Sequence, residues 1–366
     1  MHRVLVIGAG KIGSLITAIL ANSGDYHVFL ADIHIDTSQA KRLTNTSHLD
    51  LVQLDAKNDK DVTEFLRKNS INTVVSSLPY YCNIAIATVA SKLNLNYFDL
   101  TEDTNSSDVI NELARSVTSA FVPQCGLAPG FISIVANHLI QHFPKLDTVK
   151  MRVGALPINI SNALQYSLTW STDGLINEYG NMGYGLEEGK KVQLSPLEDL
   201  EEIQIDGLTY EAFNTSGGIG SLATTYADRI KKLNYKTIRY PGHCEKMRFL
   251  MNDLKLNQDR DTLKRILENV TPRTGQDVVL VYVSATGLQD NQLMEENFVK
   301  KFYPKTLYGL EWSAIQLTTA SSLCAVLDIV INQPKKFHGL VKQEQISLDA
   351  LMNNRFGHYL NTSMQA

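Results

Sequence analysis

The chain reads as an α/β protein in which a doubly wound parallel sheet is joined to a second, α+β domain, and three observations carry that reading. Apolar β-branched runs alternate with helical stretches over the first 125 residues, which implies right-handed crossovers and a parallel sheet. The opening run VLVIGAGKIGS, residues 4 to 14, sets three glycines between a strand and a helix. After CGLAPG at 125 to 130 the rhythm changes, and residues 147 to 215 become strand-rich with polar, glycine-containing loops.

Taken in order, residues 3 to 8 (RVLVIG) form the first strand, and a helix follows from about Ile12 to Asn22. Ile12, Leu15, Ile16, Ile19 and Leu20 recur there at helical spacing. Strands then fall at Tyr26 to Ala31, Leu49 to Leu54, Thr73 to Ser76, Asn96 to Asp99 and Ala120 to Pro123. Helices lie between them, notably at Asp59 to Lys68 and Ile84 to Leu93. TVKMRVGAL (148 to 156) and ALQYSLTW (163 to 170) alternate as a sheet covered on one face does. LEEGKKVQLSPLEDLEE (186 to 202) reads as a loop. A long apolar helix, about Leu310 to Asn332, returns to the first domain. The expected domains are therefore 1–125 with about 306–366, and 126–305.

At 366 residues the chain has room for two domains and a sizeable core. Its 44% hydrophobic and 20% charged residues and net charge of −4 are those of a globular protein. No basic patch points to nucleic acid. The four cysteines show neither disulfide-framework nor zinc spacing, and no metal site is expected. No uninterrupted apolar run approaches the roughly 18 residues of a membrane span. The first residues lack the basic segment and cleavage site of a leader. The expectation is a cytoplasmic protein without a membrane partner.

Gly8-Ala9-Gly10-Lys11-Ile12-Gly13 follows a strand and opens a helix, and Asp32 ends the next strand 19 residues past Gly13. Context and spacing match the Rossmann dinucleotide fingerprint. Gly8 permits the turn, Gly10 lets the backbone approach a pyrophosphate, and Gly13 allows close helix–strand packing. A glycine turn without ligand, a flavin site and an adenosyl-methionine site are the other readings of the same pattern. Asp32, with Ile33 beside it, favours NAD over NADP by accepting from ribose hydroxyls and repelling a 2′-phosphate. Lys11, Lys41 and Arg42 are the cations that offset this. Asp55 and Ala56 end the third strand, where Asp55 meets the adenine or is a surface turn. Ser77, Leu78 and Pro79 end the fourth strand, at the edge where such sheets collect ligands. Of Tyr80 and Tyr81 just beyond, one reads as core and one as reaching the substrate. Asp99 ends the next strand as a proton carrier or a cap.

VIGAGKIGS, SSLPYYCN with YFDLTED, VPQCGLAPGF, TYEAFNTSGG and KTIRYPGHCEKMRFL together resemble the saccharopine dehydrogenase family, which includes lysine 6-dehydrogenases and carboxynorspermidine dehydrogenases. The resemblance runs from residue 3 to about 253. It implies NAD(P)-linked oxidation at the ε-C–N bond of a lysine-like amino-acid substrate, in a cleft between the domains, by a protein that dimerises. It places Gly126 to Gly130 by the nicotinamide, Trp170 beside the substrate, and Asn214, Thr215, Ser216, Gly217 and Arg239 at its polar ends. Fungal saccharopine reductases resemble the chain less, since they carry arginine where NTSGG and Asp173 stand here. Within this frame the chemistry needs a base, because an alkyl amine has a pKa of roughly 10.4. His243 is the candidate by type, with Asp99 and Tyr80 as rivals; the other reading of His243 is a helix-terminal cap, and of Arg239 a structural salt bridge. Two further functions remain open. One is a carboxynorspermidine-type polyamine dehydrogenase using Asp173, Glu178 and Glu211, and the other is a silent NAD(P)-binding sensor.

Overall fold

The computed structural model describes residues 1–44 and 46–361, and the chain divides into two units. The first comprises Met1–Phe131, Thr306–Trp312 and the chain from Gln316 onward; the second comprises Ile132–Lys305 and Ser313–Ile315. The break falls at 131 because the turn after residue 125 closes on itself. Phe131 N donates to Gly126 O at 2.9 Å and Gly126 N to Pro129 O at 3.1 Å.

In the first unit the strands are β1 (His2–Ile7), β2 (Tyr26–Asp32), β3 (Leu49–Gln53), β4 (Thr73–Ser76), β5 (Asn96–Asp99) and β6 (Ala120–Val122). They lie in the order 3-2-1-4-5-6, extended by the short strand Gly339–Leu340, and every neighbouring pair is parallel. Strand order reverses between β1 and β4, and such a switch point opens a crevice beyond the strands' C-terminal ends. Helices α1 (Lys11–Asn22), α2 (Asp59–Lys68), α3 (Tyr80–Lys92) and α4 (Thr104–Ala114) make the crossovers. Leu5, Ile7, Phe29, Val74, Ile86 and Phe121 are among the side chains that fill one core of this sheet.

The returning helix runs over Ala314–Ile331, not from 310, because residues 310–312 form a short strand. By length and composition it is apolar enough to cross a membrane, but 83% of it is buried inside the protein, as a core helix is. Gln316, Thr318, Ser321 and Asp328 interrupt its apolar run, which is why the sequence shows the long helix but no uninterrupted apolar stretch of membrane-span length. Its Cys324 Sγ reaches Ile16 O in α1 at 4.0 Å.

The second unit is built on an eight-stranded mixed sheet. Its main path runs β10 (Glu201–Ile205), β11 (Leu208–Asn214), β12 (Ile230–Arg239), β7 (Lys145–Pro157), β13 (Asp277–Gln289) and β14 (Gln292–Phe302). β7 and β12 are parallel and the other pairs on that path antiparallel. The hairpin β8 (Gly183–Glu187) and β9 (Lys190–Leu194) joins β12. Residues 186–202 are thus largely hairpin and strand, in contrast to the loop the sequence suggested. ALQYSLTW is not a strand: it holds one isolated bridge, Leu168 to Arg273. Its alternation is real, but it places Leu164, Tyr166 and Leu168 against a local core with Leu175, Phe213 and Met247, and no neighbouring strand lies alongside.

Candidate functional site

The glycine turn sits at the switch point. Gly8 takes φ +108°, a conformation side-chain-bearing residues rarely adopt, and a Cβ there would stand 2.5 Å from the Ser77 carbonyl oxygen. Any Cβ on Gly13 would overlap the Gly8 carbonyl, so α1 packs directly on the turn. Gly10 differs, because nothing lies within 4 Å of where its Cβ would be. It caps α1 with no side chain bonded to the helix end and no acidic residue in the first turn. The first N–H groups of a helix have no partners within it, and with the helix dipole they attract an anion. A cavity of about 390 Å³ opens beside them, lined by Ala9, Gly10, Lys11, Ser14, Arg42 and Trp312 among others. Open backbone, two cations and a helix end without a side-chain cap fit a dinucleotide pyrophosphate, with Glu311 the carboxylate lining the same cavity.

Asp32 ends β2 and braces the turn, its Oδ2 accepting from Ala9 N at 2.7 Å and its Oδ1 from His34 N at 3.0 Å. Ile33 beside it is exposed. Ser77 N donates to Ile7 O at 2.9 Å, Leu78 packs on the core and Pro79 caps α3, which brings these three to the turn's flank. Asp55 is an exposed turn residue accepting from Lys57 N at 2.9 Å, and Ala56 packs on the core. Tyr80 is half-buried and Tyr81 exposed, their rings edge to face at 5.5 Å, so neither is a core residue. Gly126 is buried in its tight turn against Leu100 and Thr319.

Asp99 is corrected from proton carrier to buried structural acceptor. Its oxygens take hydrogens from Tyr97 Oη at 2.8 Å, Thr101 N at 3.0 Å and Gln124 N at 2.9 Å, and it is 0% exposed. Burial raises its pKa, an effect those donors partly offset. A fully enclosed carboxyl has no route to exchange a proton with substrate.

In the second unit Arg239 ends β12 and is 2% exposed. Its Nε donates to Tyr179 Oη at 2.7 Å and its Nη1 to Ile238 O at 2.8 Å. The guanidinium lies over the rings of Tyr166 and Tyr179, at 5.1 and 5.7 Å. Among the described residues Nη2 makes no hydrogen bond and no carboxylate pairs directly with the guanidinium, although Glu178 lies near enough to favour its charge. A buried guanidinium with an unmatched edge suits a carboxylate ligand.

His243 is corrected from general base to structural link. It is 0% exposed, with Nδ1 2.8 Å from Leu164 O and Nε2 3.1 Å from Tyr179 Oη. Burial first, and then Arg239, lowers its pKa to about 3. A base that weak and that enclosed cannot take a proton from an alkyl ammonium.

Trp170 is half-buried, donates to Tyr166 Oη at 3.2 Å, and covers Gly174, where any Cβ would strike the indole. It therefore stays beside Tyr166, whose ring in turn lies under Arg239. Asn214 does not: it pairs with Lys236 while Arg239 pairs with Glu211, and alternation puts the two side chains on opposite sheet faces. Asn214 Oδ1 and Thr215 Oγ1 are buried without a partner. Ser216 N donates to Glu178 O at 3.0 Å and Ser216 Oγ to Asn177 O at 3.3 Å, lacing the 215–217 turn to helix α5 (Thr172–Gly180). Gly217 takes φ +89°. What demands the glycine pair is Tyr235, whose ring lies where a Gly218 Cβ would be. β11 leads directly into this turn.

Tyr166 and Tyr179 were missed by sequence reasoning. Their only signal was proximity to the Trp170 stretch, with nothing in spacing to join them to Arg239. Asp173 is paired with Lys264 Nζ at 2.7 Å. Glu211 caps the helix α6 (His243–Arg248), accepting from Gly242 N at 2.7 Å and Cys244 N at 2.6 Å. Both carboxylates are thus committed to structure.

The first unit is a Rossmann-type dinucleotide-binding fold whose turn is shaped for a pyrophosphate. Residues 4–122 match the family model described as saccharopine dehydrogenase NADP binding domain, and residues 126–362 match saccharopine dehydrogenase C-terminal domain. The chain belongs to the saccharopine dehydrogenase family, and its cofactor class is a nicotinamide dinucleotide. An alpha-aminoadipic semialdehyde synthase from Arabidopsis thaliana is 22% identical over 158 residues, 42% of this chain and 15% of that protein's length. A solved apo saccharopine dehydrogenase (L-Glu forming) from Saccharomyces cerevisiae shares the fold, with a TM-score of 0.75 at 16% identity over 96% of this chain and 95% of that one.

Proposed function

We propose that this protein is an NAD(P)-dependent oxidoreductase acting on the C–N bond of lysine or saccharopine. The observation that carries the substrate class is Arg239, a buried guanidinium with Nη2 unmatched, held against two tyrosine rings. A carboxylate placed on that edge would complete its hydrogen bonds and add to the charge compensation that Glu178 supplies. Trp170 and Tyr166 supply an apolar wall beside it. When bound, the nicotinamide supplies a hydride acceptor for the carbon next to the amine. The amine loses a proton, and water hydrolyses the resulting imine.

The polyamine alternative is weaker, because Asp173 and Glu211 already hold Lys264 and the N-terminus of α6, and Glu178, the third carboxylate, acts on Arg239. The silent sensor shares the open Gly10, and what disfavours it is the buried Arg239 of the second unit, a cation that cofactor binding alone does not require. For the cofactor, Lys11 and Arg42 line the cavity and Asp32 is engaged by two backbone N–H groups. Together with the family model's description as NADP-binding, this shifts the preference from NAD toward NADP.

The test is reduced-cofactor formation with lysine and with saccharopine, each with NAD and NADP, in the native protein and Arg239→Ala. Turnover that requires Arg239 supports the reading. Tight NAD(P)H binding with no turnover of either amino acid returns the choice to the sensor. If Arg42→Ala weakens NADPH and NADH binding equally, a 2′-phosphate role for that residue is ruled out.

A further inference from the structure

Arg239, Tyr179 and His243 form a line whose hydrogen-bond directions are fixed by chemistry. A carbonyl oxygen only accepts, so the contact of His243 Nδ1 with Leu164 O at 2.8 Å places a hydrogen on Nδ1. Arginine Nε only donates, so Tyr179 Oη accepts from it at 2.7 Å. A second hydrogen on His243 would make an imidazolium in a fully buried site. The charged groups around it are Arg239 on β12, Lys246 on its own helix, Glu211 capping that helix and Glu178 on α5. The strongest charge acting on it is cationic, and among the described residues no carboxylate bonds the ring. The ring is therefore neutral with Nε2 bare. The one hydrogen that Tyr179 owns then points to Nε2 at 3.1 Å.

We propose that His243 is a positioning residue: by accepting the Tyr179 hydroxyl hydrogen, it turns the phenol's lone pairs onto Arg239 Nε and holds the guanidinium with Nη2 facing a carboxylate ligand. The proposal rests on Arg239 as the carboxylate anchor. Packing supports the arrangement. The His243 ring stacks on Phe213 at 6.3 Å and 17° and meets Tyr179 edge-on at 5.8 Å, which leaves no second orientation that keeps both hydrogen bonds.

Two substitutions separate the halves of the link. His243→Gln sets an acceptor near the Nε2 position, whereas His243→Asn keeps a donor near Nδ1 and offers nothing to Tyr179. In the wild-type full chain, ¹⁵N NMR is expected to show the Nδ1–H tautomer, unchanged from pH 8 to about 5, with the Nε2 resonance shifting in Tyr179→Phe. The Arg239 Nε–H is expected to be protected from solvent exchange in wild type and H243Q, and exposed in H243N. With substrate, H243N raises KM about tenfold, equivalent to about 1.4 kcal/mol, leaves kcat within about twofold, and keeps the shape of the pH profile. H243Q restores KM.

An Nε2–H tautomer, titration near 6.5, or an Arg239 Nε–H indifferent to H243N overturns the proposal. So does a fall in kcat of about a hundredfold with loss of the acidic limb, the mark of a general base. An intact link in a protein that turns over neither amino acid overturns the substrate reading alone, because the exchange measurement needs no substrate.

Discussion

Residue chemistry and residue role part company most clearly at His243. By type it is the side chain that titrates near neutrality, yet burial and Arg239 take its pKa down to about 3. In the unfolded chain the same ring takes its ordinary value near 6.5. Between these values the unfolded chain binds a proton that the folded protein refuses. Stability of the second unit is therefore present above about pH 6.5 and is lost as the pH falls toward 3, by up to about 1.4 kcal/mol per pH unit. Chemical denaturation at pH 7 and pH 5 should show that loss, and H243Q should flatten it while lowering stability at pH 7. An unchanged slope would locate the titrating group elsewhere. Nothing in RYPGHCEKM told of the enclosure, since burial of a single polar residue depends on Tyr166, Tyr179 and Phe213, which lie 77, 64 and 30 positions away. Asp99 was obscured for the same reason: a strand-end carboxyl looks alike whether it faces a crevice or three internal donors.

At the scale of elements, much of the first unit was legible because local signals agree there. The run before Gly8, the spacing of Leu15, Ile16, Ile19 and Leu20, and the strand starts at Tyr26, Thr73 and Asn96 all correspond to observed elements. ALQYSLTW misled because alternation reports burial on one side, and a loop laid on a core produces it as well as a strand does. The glycine turn gives a sharp division of labour. Gly10→Ala adds a Cβ where nothing lies within 4 Å, so stability should change by no more than about 0.5 kcal/mol. The same methyl stands where a pyrophosphate would approach, and NAD(P)H affinity should drop at least tenfold by fluorescence titration. Gly13→Ala instead forces α1 off the Gly8 carbonyl and should lower both thermal stability and affinity. If G10A binds cofactor as the wild type does, the turn holds its ligand in some other way or holds none.

For the whole molecule, the question is how a chain that leaves the first unit at 131 and re-enters it near 306 closes that unit. Much of the closure is apolar: Leu317, Leu323, Val326, Leu327 and Val330 of the returning helix are all fully buried. Its register is set by a polar knot at the far end. Asp328, 7% exposed, accepts from Tyr26 Oη at 2.6 Å, Asn354 Nδ2 at 2.7 Å and Arg355 Nη2 at 2.7 Å, and Arg355 also pairs with Asp25. One carboxylate thus joins β2, the returning helix and the last segment of the chain, parts more than 300 residues apart in sequence. No sequence spacing announces such a link, because each partner alone is an ordinary surface-type residue. Burial raises the Asp328 pKa, but these donors outweigh it and the net shift is downward, so the knot's contribution is full at neutral pH and is lost as the pH falls through the depressed value. Removing the carboxylate strands the Tyr26 hydroxyl in a buried place and takes the acceptor from Asn354 Nδ2 and Arg355 Nη2, while Arg355 keeps Asp25. Asp328→Ala should therefore cost about 1–3 kcal/mol, the range for one buried partner left unmatched, here Tyr26. It should lower the unfolding temperature of the first unit without changing the pH dependence assigned to His243 in the second. Asp328→Asn keeps acceptors for Tyr26 and Asn354 and should recover part of the loss. If D328A unfolds at the wild-type temperature, the returning helix is held by its apolar face alone, and the knot is a consequence of that packing.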